Sequence, residues 1–275
     1  MSLCRDPRLT YLNNNGYNVV LLPREGIEPL DVLGRVDGDV TRLGTMSQIW
    51  TSRVPTPSSG LPHPAASVTG TKTDDMDLSI GLGLLCNILN GMGAIVDLPK
   101  LTVAYQRARK VQYTFGEVEA VSIDPFAIGN FLASGDLRVN NPFVERYFDE
   151  EGTSAYVINE VLKSDSITVS SKDEHGTSVS VDLPAIQQLV SAKVSVTSKA
   201  SEAFDLSYKA SSKITFGFKA FGIIFTDGKW TVHGVKPSGD LAFGLTVKGA
   251  AKLRPILFGT HRLIRLGEIS QAVAA

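Results

Sequence analysis

The stretch VSVTSKASEAFDLSYKASSKITFGF, Val194 to Phe218, alternates apolar and polar residues almost without a break. Ten of its thirteen even-numbered positions are apolar, against one of the twelve odd-numbered positions. A period of two places every second side chain on one face of a pleated strand. The run holds no proline, and its one glycine is Gly217. Strands of globular proteins usually stop within about 10 residues. The chain is therefore built around unusually long β-structure with one apolar face.

Ser198 and Glu202 interrupt that face close together, so Ser198–Ala203 is a candidate polar tip. One arm then runs from about Leu189 to Thr197 and the other from Phe204 to Ala220. The apolar face of such a hairpin is Val194, Val196, Phe204, Leu206, Tyr208, Ile214, Phe216 and Phe218. A membrane-crossing β-strand needs about 9–11 residues with one face apolar and one polar. A long sheet in a soluble protein, its apolar face covered by the protein's own helices, has the same pattern.

The rest of the chain predicts an α+β fold, a mostly antiparallel twisted sheet with peripheral helices. Strands are expected at Tyr17–Pro23, Arg42–Thr51, Leu101–Ile123, Ala155–Ser171, Thr177–Leu183 and Leu241–Val247. Leu101–Ile123 and Ala155–Ser171 would be the arms of a second hairpin. Asp227-Gly228 between two β-rich runs marks a tight hairpin turn. Met76–Ala94 reads as a buried helix, capped at Asp74 or Asp75 and ended by Gly91 and Gly93, with Cys86 as a core thiol. Pro125–Gly135, Asn141–Glu150 and the start of Leu183–Ala192 also read as helices. The proline-rich segment 52–75 is a loop.

Charge is unevenly spread. Residues 193–275 hold twelve Lys/Arg and five Asp/Glu, a net of +7, within a chain of formal net charge −1. The first 192 residues hold the remaining fifteen and twenty-three, a net of −8. A basic third suits an acidic partner, either anionic lipid or nucleic acid. A solvated lysine face explains it equally well.

Two cysteines, Cys4 and Cys86, make no disulfide framework, which points to a reducing cytoplasm. There is no apolar leader at the N-terminus, and the longest apolar run, near Ile80–Ile88, is too short for a spanning helix. His63, His175, His233 and His261 lie far apart, without metal-ligand spacing. No nucleophile elbow, zinc-protease or phosphate-loop motif is present, so neither an enzyme nor a metal protein is expected. Asp74, Asp75 and Asp77 suit a helix N-terminus better than a cation. Cys4, four residues from the start and followed by Arg5 and Arg8, is a candidate S-acylation site.

The opening MSLCRDPRLTYLNNNGYNVVLLPREGIEPLDVLGR resembles that of bacterial gasdermins, with a cysteine near the start, a Tyr-Asn-Val-Val strand and an Ile-Glu-Pro-Leu-Asp segment. The specific part covers roughly the first 35 residues, and the remainder matches in pattern. The resemblance implies a pore-forming body, residues 1–251, held inactive as a monomer by a short C-terminal segment, residues 252–275. It further implies a protease that removes the segment, assembly of many copies into a membrane β-barrel, and death of the cell as a defence against phage. The protein would then move from the cytoplasm to the inner membrane. A palmitoyl chain on Cys4 would occupy an apolar groove at rest, and no other cofactor is implied. In the tail, Ile256, Leu257, Phe258, Leu263 and Ile264 would contact the body. Asp240 is the last aspartate, so the cut is not of caspase type, and Arg262, Arg265, Leu266 and Gly267 are the candidate cleavage residues. The alternative is a soluble protein whose basic sheet binds an acidic partner such as nucleic acid.

Overall fold

Two long strands form the spine of the molecule. The computed structural model describes residues 12, 15–36, 39–138, 146–148, 153–190, 192–198, 203–233 and 267–268. In chain order the strands are β1 (Asn18–Arg24), β2 (Asp31–Val36), β3 (Asp39–Thr45), β4 (Trp50–Ser52), β5 (His63–Pro64), β6 (Met76–Asp77), β7 (Lys110–Gly116), β8 (Glu119–Ser122) and β9 (Gly135–Leu137). They continue with β10 (Ser154–Lys172), β11 (Val194–Ser198), β12 (Asp205–Thr226), β13 (Lys229–His233) and β14 (Gly267–Glu268). The helices are α1 (Met46–Ile49), α2 (Leu78–Gly91), α3 (Leu98–Ala104), α4 (Pro125–Ala133) and α5 (Leu183–Leu189).

Strands β10 and β12, of 19 and 22 residues, pair antiparallel from Ala155↔Ile223 to Ser170↔Asp205, with three irregularities in register. Each is flanked on its other edge by three short partners. β10 carries β2, β8 and β7 in turn. β12 carries β13, β1 and β11. The bulged register lets so long a ladder twist while its ends keep different neighbours. β3 pairs with β2, and β14 adds to β3 in parallel through Gly267↔Thr41 and Glu268↔Arg42. A separate pair, β4 and β9, stands apart.

The helices follow from local chemistry. α2 buries Gly81, Leu82, Leu85, Ile88 and Leu89, a helical spacing that lays one face on the sheet. It sits very close: a side chain on Gly81 would meet Val111 Cγ2 at 2.0 Å, and one on Gly91 would meet the Pro23 carbonyl oxygen at 1.8 Å. Asp124 and Asp182 begin α4 and α5 by accepting backbone N–H groups of Phe126 and Ala185, each helix having proline in its first turn. Asp227 and Gly228 both have positive φ, at 50° and 73°, the mirror-image turn that joins β12 to β13.

Several expectations are corrected. α2 begins after Asp77, not at Asp74 or Asp75; Asp75 instead pairs with Lys172 at 2.7 Å. Arg42–Thr51 is not one strand, because Gln48 Oε1 accepts the Thr45 N–H at 2.9 Å and closes a single helical turn. Leu101–Ile123 begins as helix: Asp97-Leu98-Pro99 starts α3, whose buried residues Leu101 and Ala104, three apart, follow helical spacing. Thr177–Leu183 makes only an isolated bridge, Lys172↔Ser178, because Asp173 draws the His175 and Thr177 N–H groups into a turn. The expected strand Leu241–Val247 and most of the expected helix Asn141–Glu150 lie outside the described residues, though Arg146–Phe148 is helical.

Candidate functional site

The alternating stretch forms a hairpin here, with different arms from those expected. β11 pairs with β12 from Val194↔Ala210 to Ser198↔Leu206, so the tip falls at residues 199–204. Leu189 belongs to α5 rather than to the first arm, and the second arm extends past Ala220 to Thr226. The second expected hairpin is present as pairing of β7 and β8 with β10.

The apolar face of β12 is closed to water. Leu206, Tyr208, Ile214 and Phe218 are fully buried, and Val194, Val196 and Phe216 nearly so; Phe204 is half-buried. Leu206, Tyr208, Ile214 and Phe216 share a core with residues of α2, α3 and α5. Phe216 stacks on Phe115 with ring centroids 3.9 Å apart. Tyr105 and Tyr208 join their hydroxyls at 2.7 Å, and the Tyr113 hydroxyl donates to the Gly81 carbonyl at 2.6 Å. Four such side chains, Leu206, Tyr208, Ile214 and Phe216, hold on the order of 10 kcal/mol of burial energy between them; Phe218, past the bulge, packs on the other face with Val161. If the helices leave, the face they cover must find another apolar medium. Leu206→Asp or Ile214→Asp therefore unfolds the resting protein and does not report on membrane entry alone.

Ion pairs run along both faces of the sheet, the phase of β12 reversing at the bulge around Phe216. Lys209 meets Asp165 at 3.9 Å, Lys213 meets Glu119 at 2.5 Å, and Lys219 meets Glu160 at 3.1 Å. Lys163 reaches Glu28 at 2.5 Å. Lys219 also lies 4.1 Å from the Tyr17 ring centroid, and the Tyr17 hydroxyl donates to Glu160. Burial and then the Glu160 carboxylate push the Tyr17 phenol well above its usual range. This corrects the view of the basic third as an open cationic sheet: along β12 its lysines are matched by carboxylates of the acidic first part. Sequence reading missed these partners because they lie far away in the chain.

The far end of β12 is different. Trp50, Phe148 and Trp230 meet edge to face at centroid distances of 5.1 to 5.5 Å, and Phe225 tilts onto Trp230 at 5.1 Å. His233, half-buried, packs its imidazole flat against Gly222, where a side chain would meet Nε2 at 2.1 Å. Burial lowers its pKa.

A narrow apolar slot runs beneath α2, lined by Leu12, Met76, Leu84, Ile88, Phe115 and Phe216 among others, with about 20 Å³ of free space. Its lining suits an acyl chain. Its free space is room for about one water molecule, so an acyl chain would enter only by parting α2 from β1. Cys4 lies outside the described residues, eight positions before Leu12. Cys86 is half-buried, and its thiol donates to the Val96 carbonyl at 3.4 Å. Burial raises its pKa. That is the setting of a packed side chain, in line with the core role expected of it.

Of the tail, Gly267 and Glu268 are placed on the outer edge of β3. Arg262, Arg265, Leu266 and the expected contacts Ile256, Leu257, Phe258, Leu263 and Ile264 lie outside the described residues. Beside that edge Arg42 holds the fully buried Asp31 through two 2.8 Å contacts. Burial raises the Asp31 pKa against the opposing pull of Arg42. Among the described residues no group of three or more His, Cys, Asp or Glu is placed to hold a metal ion, and no helix is long and apolar enough to cross a membrane.

Comparison with known proteins agrees with this architecture. Residues 20–231 match the profile of the Bacterial Gasdermin Family. The chain is 37% identical over 250 residues to gasdermin bGSDM of a Vitiosangium species, covering 90% of this chain and 92% of that protein. It is 31% identical over 252 residues to gasdermin bGSDM of a Desulfuromonadales bacterium, covering 90% and 92%. The solved structure of a bacterial gasdermin from Bradyrhizobium tropiciagri superposes with a TM-score of 0.62 at 15% identity, covering 86% of this chain and 92% of that one, a likeness of fold. The chain belongs to the bacterial gasdermin family, a family of pore-forming proteins.

Proposed function

We propose that this gasdermin is an autoinhibited pore-former that acts in antiphage cell death. At rest it is a cytoplasmic monomer. Proteolysis in the C-terminal segment, at or near Arg262, Arg265, Leu266 or Gly267, frees the body, residues 1–251, from residues 252–275. The body then assembles with other copies into a β-barrel in the inner membrane. The observation that carries this reading is β12: 22 residues, alternating, its lipid-compatible face covered by helices of the same chain. An acyl chain on Cys4 would hold the N-terminal segment against the slot at rest, and Leu12 already lines that slot.

The register supports a specific form of the inserted hairpin. At their lower ends β10 and β12 pair as Ile167↔Tyr208 and Val169↔Leu206. Continued past Lys172 with the same offset, that ladder sets Val179 against Val196 and Val181 against Val194, apolar opposite apolar, and Asp173 against Glu202, a carboxylate pair that this form must keep out of the hydrocarbon. β11 would straighten into line with β12, and the turn would fall within the present α5. Closing such hairpins around a ring leaves no unpaired strand edge in lipid.

Dye release from anionic liposomes tests the function. The intact chain is compared with a chain cut at an engineered protease site between residues 252 and 267. Leakage after cutting alone is the expected result. No leakage from either form, with cutting confirmed at several positions, would overturn the proposal.

A further inference from the structure

We infer that the pore formed by this chain prefers anions to cations; the inference rests on the pore-forming reading above. If the apolar face of β10 and β12 meets lipid, the opposite face lines the aqueous lumen. In a strand drawn out without its bulges, sequence parity puts Lys209, Lys213 and Lys219 on that face, opposite in phase to Leu206, Tyr208, Ile214, Phe216 and Phe218. Their charges cannot turn to lipid without a large desolvation cost.

The balance of charge on the lumen side follows from the strands themselves. β7, β8, β10, β11 and β12 together hold six lysines, Lys110, Lys163, Lys172, Lys209, Lys213 and Lys219, and four carboxylates, Glu119, Glu160, Asp165 and Asp205. The net is +2 per copy. At rest two of the lysines are compensated from outside these strands: Lys163 by Glu28, between β1 and β2, and Lys172 by Asp75, ahead of β6. The pairs Lys209–Asp165 and Lys219–Glu160 join the neighbouring strands β12 and β10, and Lys213–Glu119 reaches across β10 to β8; all three lie within these strands and can survive insertion. Lys163 and Lys172 are tied to the loops and lose their partners if the strands draw away. Repeated around a ring, the surplus makes bands of positive potential of the sort that select anions in other channels. The effect must fall as salt rises, because the Debye length shrinks from about 30 Å at 0.01 M to about 3 Å at 1 M.

The test is the reversal potential of the cleaved protein in planar bilayers of phosphatidylcholine and phosphatidylglycerol across a KCl gradient. The expected potential lies on the chloride side of zero and moves toward zero as both salt concentrations are raised. The triple variant Lys209→Gln, Lys213→Gln, Lys219→Gln takes the strands from +2 to −1 and should cross to the potassium side. The opposite variant, Glu160→Gln with Asp165→Asn, should move further to the chloride side, and it keeps the test open if the triple variant does not fold. Conductance with zero or potassium-side potential in the parent protein, or with unchanged potentials in both variants, overturns the inference and leaves the pore reading standing. Absence of conductance overturns the pore reading itself.

Discussion

The two ends of β12 are held by different means. At its start, Leu206–Ala210 pairs with the five-residue β11 and is roofed by α2, α3 and the seven-residue α5. At its finish, Gly222–Thr226 pairs with β13 across a two-residue turn and is pinned by Trp50, Phe148 and Trp230. The first end depends on non-local packing of short elements, none stable alone. The second is a local hairpin, closed by a turn of favoured hand and by interlocked rings. A strand built this way can release one end and keep the other as an anchor. The difference also separates the part that would enter a membrane from the part that would stay folded above it.

The largest test of this contrast is a lock. Thr197 and Ser207 face each other across β11 and β12 on the polar side. Replacing both by cysteine and oxidising them ties the mobile end down without touching the core. If β11 must straighten, the oxidised and cleaved protein releases no dye and reduction restores release. Full release by the oxidised form would show that the β11–β12 hairpin enters as it stands. A smaller effect is expected from glycine. Gly91→Ala drives a methyl into the Pro23 carbonyl, which cannot rotate away, so α2 must lift from β1 at a cost of about 1–3 kcal/mol in thermal unfolding. Gly222→Ala at the anchored end first meets the His233 ring, a side chain that can turn aside, and should cost less. Equal losses would erase the distinction between the two ends. The smallest effect concerns pH. The pKa of His233 in the fold lies below the ordinary 6.5 because burial disfavours its charge. Its contribution to stability is therefore complete above that value and is lost as pH falls through the lower folded value. Melting curves from pH 7.5 to 5 should show a decline in stability that is smaller in His233→Gln. An identical decline in the variant would place the responsible proton elsewhere.

Much of the spine is legible in the sequence. Alternation marks β10 and β12, helical spacing marks α2, and aspartate before proline marks α4 and α5. Asp227-Gly228 marks the anchoring turn. These signals work because each is made by residues near one another in the chain. Alternation misleads at Leu101–Tyr105, where period two and period 3.6 both place Leu101 and Tyr105 on one face. Nothing local reveals that Lys213 meets Glu119, that Leu12 joins Phe216 at one slot, or that Gly267 pairs with Thr41. Those contacts join positions 94 to 226 residues apart, and only the folded sheet creates them.

The strand β14 is joined to the body by the 33 residues between His233 and Gly267. While that connection is whole, the strand cannot diffuse away, and its meeting with β3 is an intramolecular event. A cut turns the same contact into an encounter between separate molecules. The released peptide then faces dilution into the whole cell, and re-docking would require a bulk concentration that one protein's own fragments do not reach. Proteolysis of this kind acts as a ratchet: the edge of β3 need not be altered at all for the change to be one-way.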